Sequence, residues 1–60
     1  MILINDNAFD TVRAHGVNAR GEYVEVTDEI VHGTRHYVLS IDGRKRASGM
    51  DVGALVALAR

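Results

Sequence analysis

The chain has no cysteine, no proline and no tryptophan, and its only aromatic residues are two tyrosines and one phenylalanine. Without cysteine there can be no disulfide and no thiolate metal site. That matters in a chain of 60 residues, because below roughly 70–80 residues natural folds usually lean on disulfides, a metal or a partner subunit. A domain this small buries only about 60% of the surface its unfolded form exposes, so its stability is marginal. Charge of one sign is also lacking: seven basic and eight acidic residues leave a net charge of −1. Nothing in that balance draws the whole chain to nucleic acid or to an anionic membrane. No window approaches the roughly 20 apolar residues of a membrane span. Met1-Ile2-Leu3-Ile4 runs at once into Asn5-Asp6-Asn7, without the basic start and longer apolar stretch of a signal peptide. The expectation is a cytosolic protein with no membrane partner.

What is present is an ordinary globular composition, 47% hydrophobic and 25% charged, with neither repeat nor low-complexity tract. It predicts one domain spanning residues 1–60. Two dipeptides punctuate the chain. His32-Gly33 separates a strand over Glu22 to Val31 from a second over Thr34 to Ile41. Asp42-Gly43 is a second hairpin signal, because two-residue hairpin turns need positive φ. If His32-Gly33 is a two-residue loop, Val31 faces Thr34, and Ile30, Asp28, Val26 and Val24 face Arg35, Tyr37, Leu39 and Ile41. One face then collects Val24, Val26, Ile30, Tyr37, Leu39 and Ile41 as core. The other collects Tyr23, Glu25, Thr27, Glu29, His36, Val38 and Ser40 as the wet side. Pairing and alternation agree, which a chance register would not guarantee.

Arg44 to Ala47 reads as a short edge strand whose basic side chains discourage further pairing. Its register is open between a simple two-residue loop, which puts Arg44 and Arg46 on the core face, and a bulge, which moves Lys45 and Ala47 there. Two helices are predicted. One spans Ala8 to His15, with Asn7 and Asp10 resembling a capping box and Gly16 as its stop. The other begins near Ser48 or Asp51 and runs to Ala59, with Val52, Leu55, Val56 and Ala59 at helical spacing. Met1 to Ile4 adds a strand of unassigned position, and Val17 to Gly21 is a connecting turn or loop. The fold class expected is α+β, a small antiparallel β-sheet in the order β-α-β-β-β-α with the helices on one face.

Chemistry-bearing patterns are sparse. His15, His32 and His36 fall on a helix end, a turn and a wet strand face, so nothing gathers them into the four-ligand shell of a zinc site; neither metal nor cofactor is expected. Acid–base catalysis needs a pocket that shifts pKa values and excludes water, and so small a domain has little volume for one. Ser40 and Ser48 carry no nucleophile motif, and no glycine-rich phosphate loop is present. The chain reads as non-enzymatic.

Three surfaces stand out instead. Glu22, Glu25, Asp28 and Glu29 are four of the eight acids within eight residues, a surface suited to a basic partner. Arg44, Lys45 and Arg46, with Arg35 in support, are the alternative, a nucleic-acid contact. Met50, Ala54 and Leu58 lie off the core stripe of the last helix, and exposed apolar surface there would mark self-association or assembly.

The meander followed by a C-terminal helix, with Asp42-Gly43-Arg44-Lys45-Arg46 ahead of it, resembles the arm-binding N-terminal domain of phage-type tyrosine recombinases over Glu22 to Arg60. That resemblance implies a sheet face that enters the DNA major groove, yet here the corresponding face carries Glu25 and Glu29, which would meet phosphates. In size, absence of cysteine and acidic sheet face the chain is also similar to small phage-encoded inhibitors, including anti-CRISPR proteins. That resemblance implies occupancy of a basic, nucleic-acid-binding surface on a larger host protein or nucleoprotein complex, with direct nucleic-acid binding disfavoured.

Overall fold

The computed structural model describes residues 1–5 and 11–60. Five strands, β1 (Ile2–Ile4), β2 (Val12–Val17), β3 (Tyr23–Val31), β4 (Thr34–Ile41) and β5 (Arg44–Gly49), precede one helix, α1 (Val52–Ala59). The sheet order is β1-β2-β3-β4-β5, with every neighbouring pair antiparallel. It is a plain meander, and α1 crosses one face of it.

The turn dipeptides act as expected. His32 and Gly33 have φ of 51° and 78°, and Asp42 and Gly43 have 51° and 80°, the paired left-handed residues of a tight hairpin turn. Val31 pairs with Thr34, and the register continues without slip to Val24 opposite Ile41. At the second hairpin both sequence alternatives contribute. Ile41 pairs with Arg44 across a two-residue loop, then a register shift pairs Ser40 with Lys45 but Leu39 with Ala47. Arg46 is the extra residue of that bulge, and Ala47 regains the core face. The strand runs to Gly49, further than Ala47, and it is the sheet edge.

The expected helix over Ala8 to His15 is not formed where the chain is described: residues 12–15 belong to β2. Its capping residues Asn7 and Asp10, with Ala8 and Phe9, lie outside the described residues. The order is therefore β-β-β-β-β-α, and a single described helix covers the sheet. An eight-residue helix is marginal alone, whereas as a strand the segment pairs with both β1 and β3 and buries Ala14 completely. Met1 to Ile4 adopts its strand at the outer edge of β2, and a turn reaching Gly21 joins β2 to β3.

The core comprises Ala14, Val24, Val26, Leu39 and Ile41 from the sheet and Leu55, Val56 and Ala59 from α1. The helical stripe read from the sequence thus packs as expected, with Val52 partly buried against it. Asp51 is the N-cap: its Oδ1 accepts from the Gly53 amide at 2.9 Å, satisfying an amide that the first turn leaves unpaired. At the other end Asn18, 8% exposed, donates Nδ2–H to the Ala59 carbonyl at 3.0 Å. Its Oδ1 accepts from the amides of Arg20 and Glu22, both at 3.0 Å. One side chain thereby shapes the β2–β3 turn and ties the helix end to it.

Two residues lie on the expected faces but differ in burial. Ile30, expected in the core, is 71% exposed, because the β3–β4 hairpin runs on past the area that α1 covers. Val38, expected to be wet, is 8% exposed, because it lies on an inner strand flanked by Thr27 of β3 and Ser48 of β5.

Gly16 takes φ of 156° beside β1, and a Cβ there would run into the Met1 carbonyl oxygen and sit 2.7 Å from the Ile2 Cα. Gly53 has only Asp51 Oδ1 near, at 3.4 Å. Gly16→Ala is therefore expected to cost about 1–3 kcal/mol of overpacking. Gly53→Ala should stabilise by roughly 0.4–1 kcal/mol through the unfolded chain. Urea unfolding of the two variants beside the native chain measures both signs.

Candidate functional site

Among the described residues no helix or strand packs on the sheet face opposite α1. Pairing across the strands lays out its rows: Leu3, His15, Glu25, Ser40 and Lys45 form one, and Val12, Thr27, Val38 and Ser48 another. Glu29 stands opposite His36, and Val17 opposite Tyr23. The molecule measures 35 × 22 × 18 Å, and its two longer dimensions match the roughly 800 Å² per partner of a standard protein interface.

The four acids singled out from the sequence divide into two kinds. Asp28 lies on the helix side, where Arg13 holds it by two bonds, Nε to Oδ1 and Nη2 to Oδ2, both 2.9 Å. Both side chains are only 15% exposed, and the guanidinium holds the Asp28 carboxyl below its ordinary range. Glu22 accepts from Asn18 Nδ2 at 2.9 Å and Arg20 Nε at 2.8 Å. Those bonds, Asn18 first, hold its carboxyl below the ordinary range as well. These two acids serve the fold.

Glu25 and Glu29 are on the open face, and among the described residues neither forms an ion pair. Glu25 accepts a hydrogen bond from the Tyr23 hydroxyl at 3.1 Å, which raises the phenol above its ordinary value. Cross-strand placement sets His15 beside Glu25 and His36 beside Glu29, while His32 is a turn residue. Among the described residues no group of three or more His, Cys, Asp or Glu side chains could hold a metal ion, and no helix is long and apolar enough to cross a membrane.

The basic cluster converges with the β2–β3 turn. Arg44, Lys45 and Arg46 line a groove of about 580 Å³ with Glu22, Ile41 and Asp42. Arg35 is not part of it, pairing with Ile30 at the far end of the same hairpin. Of the apolar residues proposed for self-association, Met50 is 63% and Leu58 67% exposed. Ala54 is exposed one turn before Leu58, and Met50 precedes the N-cap.

Asn18, Arg13 and Arg20 organise both the turn and the helix-side rim, and the sequence reading missed them. Their signals are weak, because each is a single polar residue whose partner is defined only once the strands are paired. No family model matches this chain, and neither a curated protein nor a solved structure matches it.

Replacing either partner of the Arg13–Asp28 pair, by Arg13→Ala or Asp28→Asn, should cost about 1–3 kcal/mol, as for hydrogen bonds to charged groups. Asp28 is depressed from an ordinary value of 3.8. The unfolded chain therefore takes up its proton first, and the pair's contribution, present above pH 3.8, is lost as pH falls through the lower folded value. Urea midpoints taken at neutral pH and in acid should converge between native chain and Asp28→Asn as the pH drops.

Proposed function

We propose that this chain is a non-enzymatic binding protein that works by occupancy. The sheet face opposite α1 docks on a basic surface of a larger protein or nucleoprotein complex. Where that surface is one that holds nucleic acid, the result is inhibition, the mode implied by the likeness to small phage-encoded inhibitors. The observation that carries the reading is the division of the acids. Glu22 and Asp28 are spent on internal cations, while Glu25 and Glu29 stand on the open face with no ion pair among the described residues. Carboxylates so placed steer a basic partner and fix its orientation more than they add raw affinity. Tyr23 and Val17 add exposed apolar area beside them, each 46% exposed, and tyrosine suits such anchoring because it offers an apolar body with a polar tip.

The test is capture from bacterial lysate with the native chain and with the Glu25→Lys/Glu29→Lys double variant, followed by competition with added nucleic acid. The native chain should retain a partner that added nucleic acid displaces. The double reversal should lower retention by at least about tenfold at low salt, the lower end of electrostatic steering. Equal retention by both, or no partner for either, overturns the reading.

A further inference from the structure

The second surface lies at the opposite side of the chemistry, where the β2–β3 turn, the β4–β5 turn and the last turn of α1 meet. Two acids rim its groove and both are occupied. Asp42 Oδ1 accepts from the Tyr23 amide at 2.9 Å, and Glu22 is held by Asn18 and Arg20. Arg44, Lys45 and Arg46 have no ion pair among the described residues. The groove therefore presents three cations without a direct ion pair among the described residues beside two hydrogen-bonded carboxylates. Asn18 and Arg20 hold the Glu22 carboxyl below its ordinary range, and Arg46 is near enough to help. The bulge contributes directly, because its extra residue, Arg46, lines both this groove and the one beside it.

A smaller groove of about 270 Å³ adjoins this one, sharing Ile41 and Arg46 and lined besides by Arg20, Leu39, Ala47 and Leu58; Leu39 and Ile41 are buried beneath it, and Leu58 is its exposed apolar side chain. A cationic groove opening onto an apolar ledge fits a ligand with an anionic head and a flat apolar body. A protein carboxylate would use the first part and leave the second empty. Guanidinium forks match phosphate oxygens in geometry, and a planar base can stack on an arginine or lie against leucine.

We propose that this corner binds a nucleotide unit, its phosphate held by Arg44 and Arg46 with Lys45 in support, and its base laid against Leu58 beside Arg20. The site is independent of the acidic open face, so either can fail alone. A basic edge strand that merely prevents pairing would need charge along its edge, with no reason to converge on an apolar ledge.

The shared chemistry is a nucleoside phosphate, carried by a single strand or by a mononucleotide. Fluorescence anisotropy with a labelled oligothymidine, and displacement or calorimetry with ATP, separate the two sources. Saturable binding of oligothymidine assigns the site to a strand; saturable binding of ATP alone assigns it to mononucleotides. In either case Arg44→Ala/Arg46→Ala should weaken binding at least about tenfold and Leu58→Ala by a few-fold. Arg35→Ala, at the far end of the hairpin, should leave it unchanged, and Glu25→Lys/Glu29→Lys should not weaken it. Three phosphate contacts on a strand give a log–log salt slope of about −2, or roughly a 20-fold loss over a fourfold rise in salt. Circular dichroism checks that the variants, all at exposed positions except the half-buried Glu25, keep the fold. Failure of both probes to bind at low salt, undiminished binding by the double arginine variant, or an equal loss in Arg35→Ala overturns the proposal.

Discussion

The register of the β3–β4 hairpin is the constraint on which everything else rests. Side chains alternate with a period of two, so a slip of one residue would exchange the two faces of the sheet. Glu25 and Glu29 would then lie beneath α1, and Val24 and Val26 would face water. The two left-handed residues His32 and Gly33 prevent this by closing Val31 onto Thr34. β2 and β5 then attach to a pair whose faces are already decided. The two strands that flank this hairpin, β2 and β5, each carry one irregularity, and each releases an arginine: the β2 shift frees Arg13 to reach Asp28, and the β5 shift sets Arg46 at the groove. A bulge adds one residue to one strand, so it re-aims a side chain and shifts the alternation of the strand beyond it by one position. Here the devices that curve the sheet also supply the cations around the helix.

An eight-residue helix does not form in isolation, so α1 exists because both ends and one side are held. Asp51 satisfies its first turn, Leu55, Val56 and Ala59 bury its inner side, and Asn18 takes its last carbonyl. Asn18 has both its donor and its acceptor functions used, which is what makes a nearly buried amide affordable in so small a core. The perimeter acids Glu22 and Asp28 complete this frame. They could not be given to a partner without loosening the β2–β3 turn or the β2–β3 ladder.

The sequence was legible where a local rule decided the outcome. The turn dipeptides, the alternation of Val24, Val26, Leu39 and Ile41 and the stripe of α1 all work within a few residues, and all are found in the structure. β2 was opaque because its inward residues, Ala14 and Gly16, are too small to mark a face, and Gly16 reads as a helix stop. Its true role is to let β1 pass close by, which depends on a segment fourteen positions earlier. The exposure of Ile30 and the burial of Val38 were equally hidden, since alternation names a face but not the extent of the helix that covers it. Among the candidate site residues, the alternation already separated Glu25 and Glu29 on the wet face from Glu22 and Asp28 on the core side, but it could not name the partners of the second pair. Those partners were hidden because Arg13 and Asn18 reach Asp28 and Glu22 only after β2 has found β3.

A net charge of −1 suggests a chain indifferent to charged partners, but a sum says nothing about placement. Screening at physiological salt confines an exposed charge to about 8 Å, and the molecule is 35 Å long. Surfaces on opposite sides of the sheet, or at opposite ends of it, therefore act on a partner as separate fields. The open face is governed by Glu25 and Glu29, with Lys45 at the edge of the same row as Glu25. The helix-side corner is governed by Arg44 and Arg46, with its acids already hydrogen-bonded, Glu22 to Asn18 and Arg20 and Asp42 to the Tyr23 amide. Two small surfaces of opposite sign on a single sheet are what a ligand made of both protein and nucleic acid would present in reverse, a basic protein surface beside exposed phosphates. A chain that met both at once would gain from each contact the proximity established by the other, so that neither would need to be strong alone.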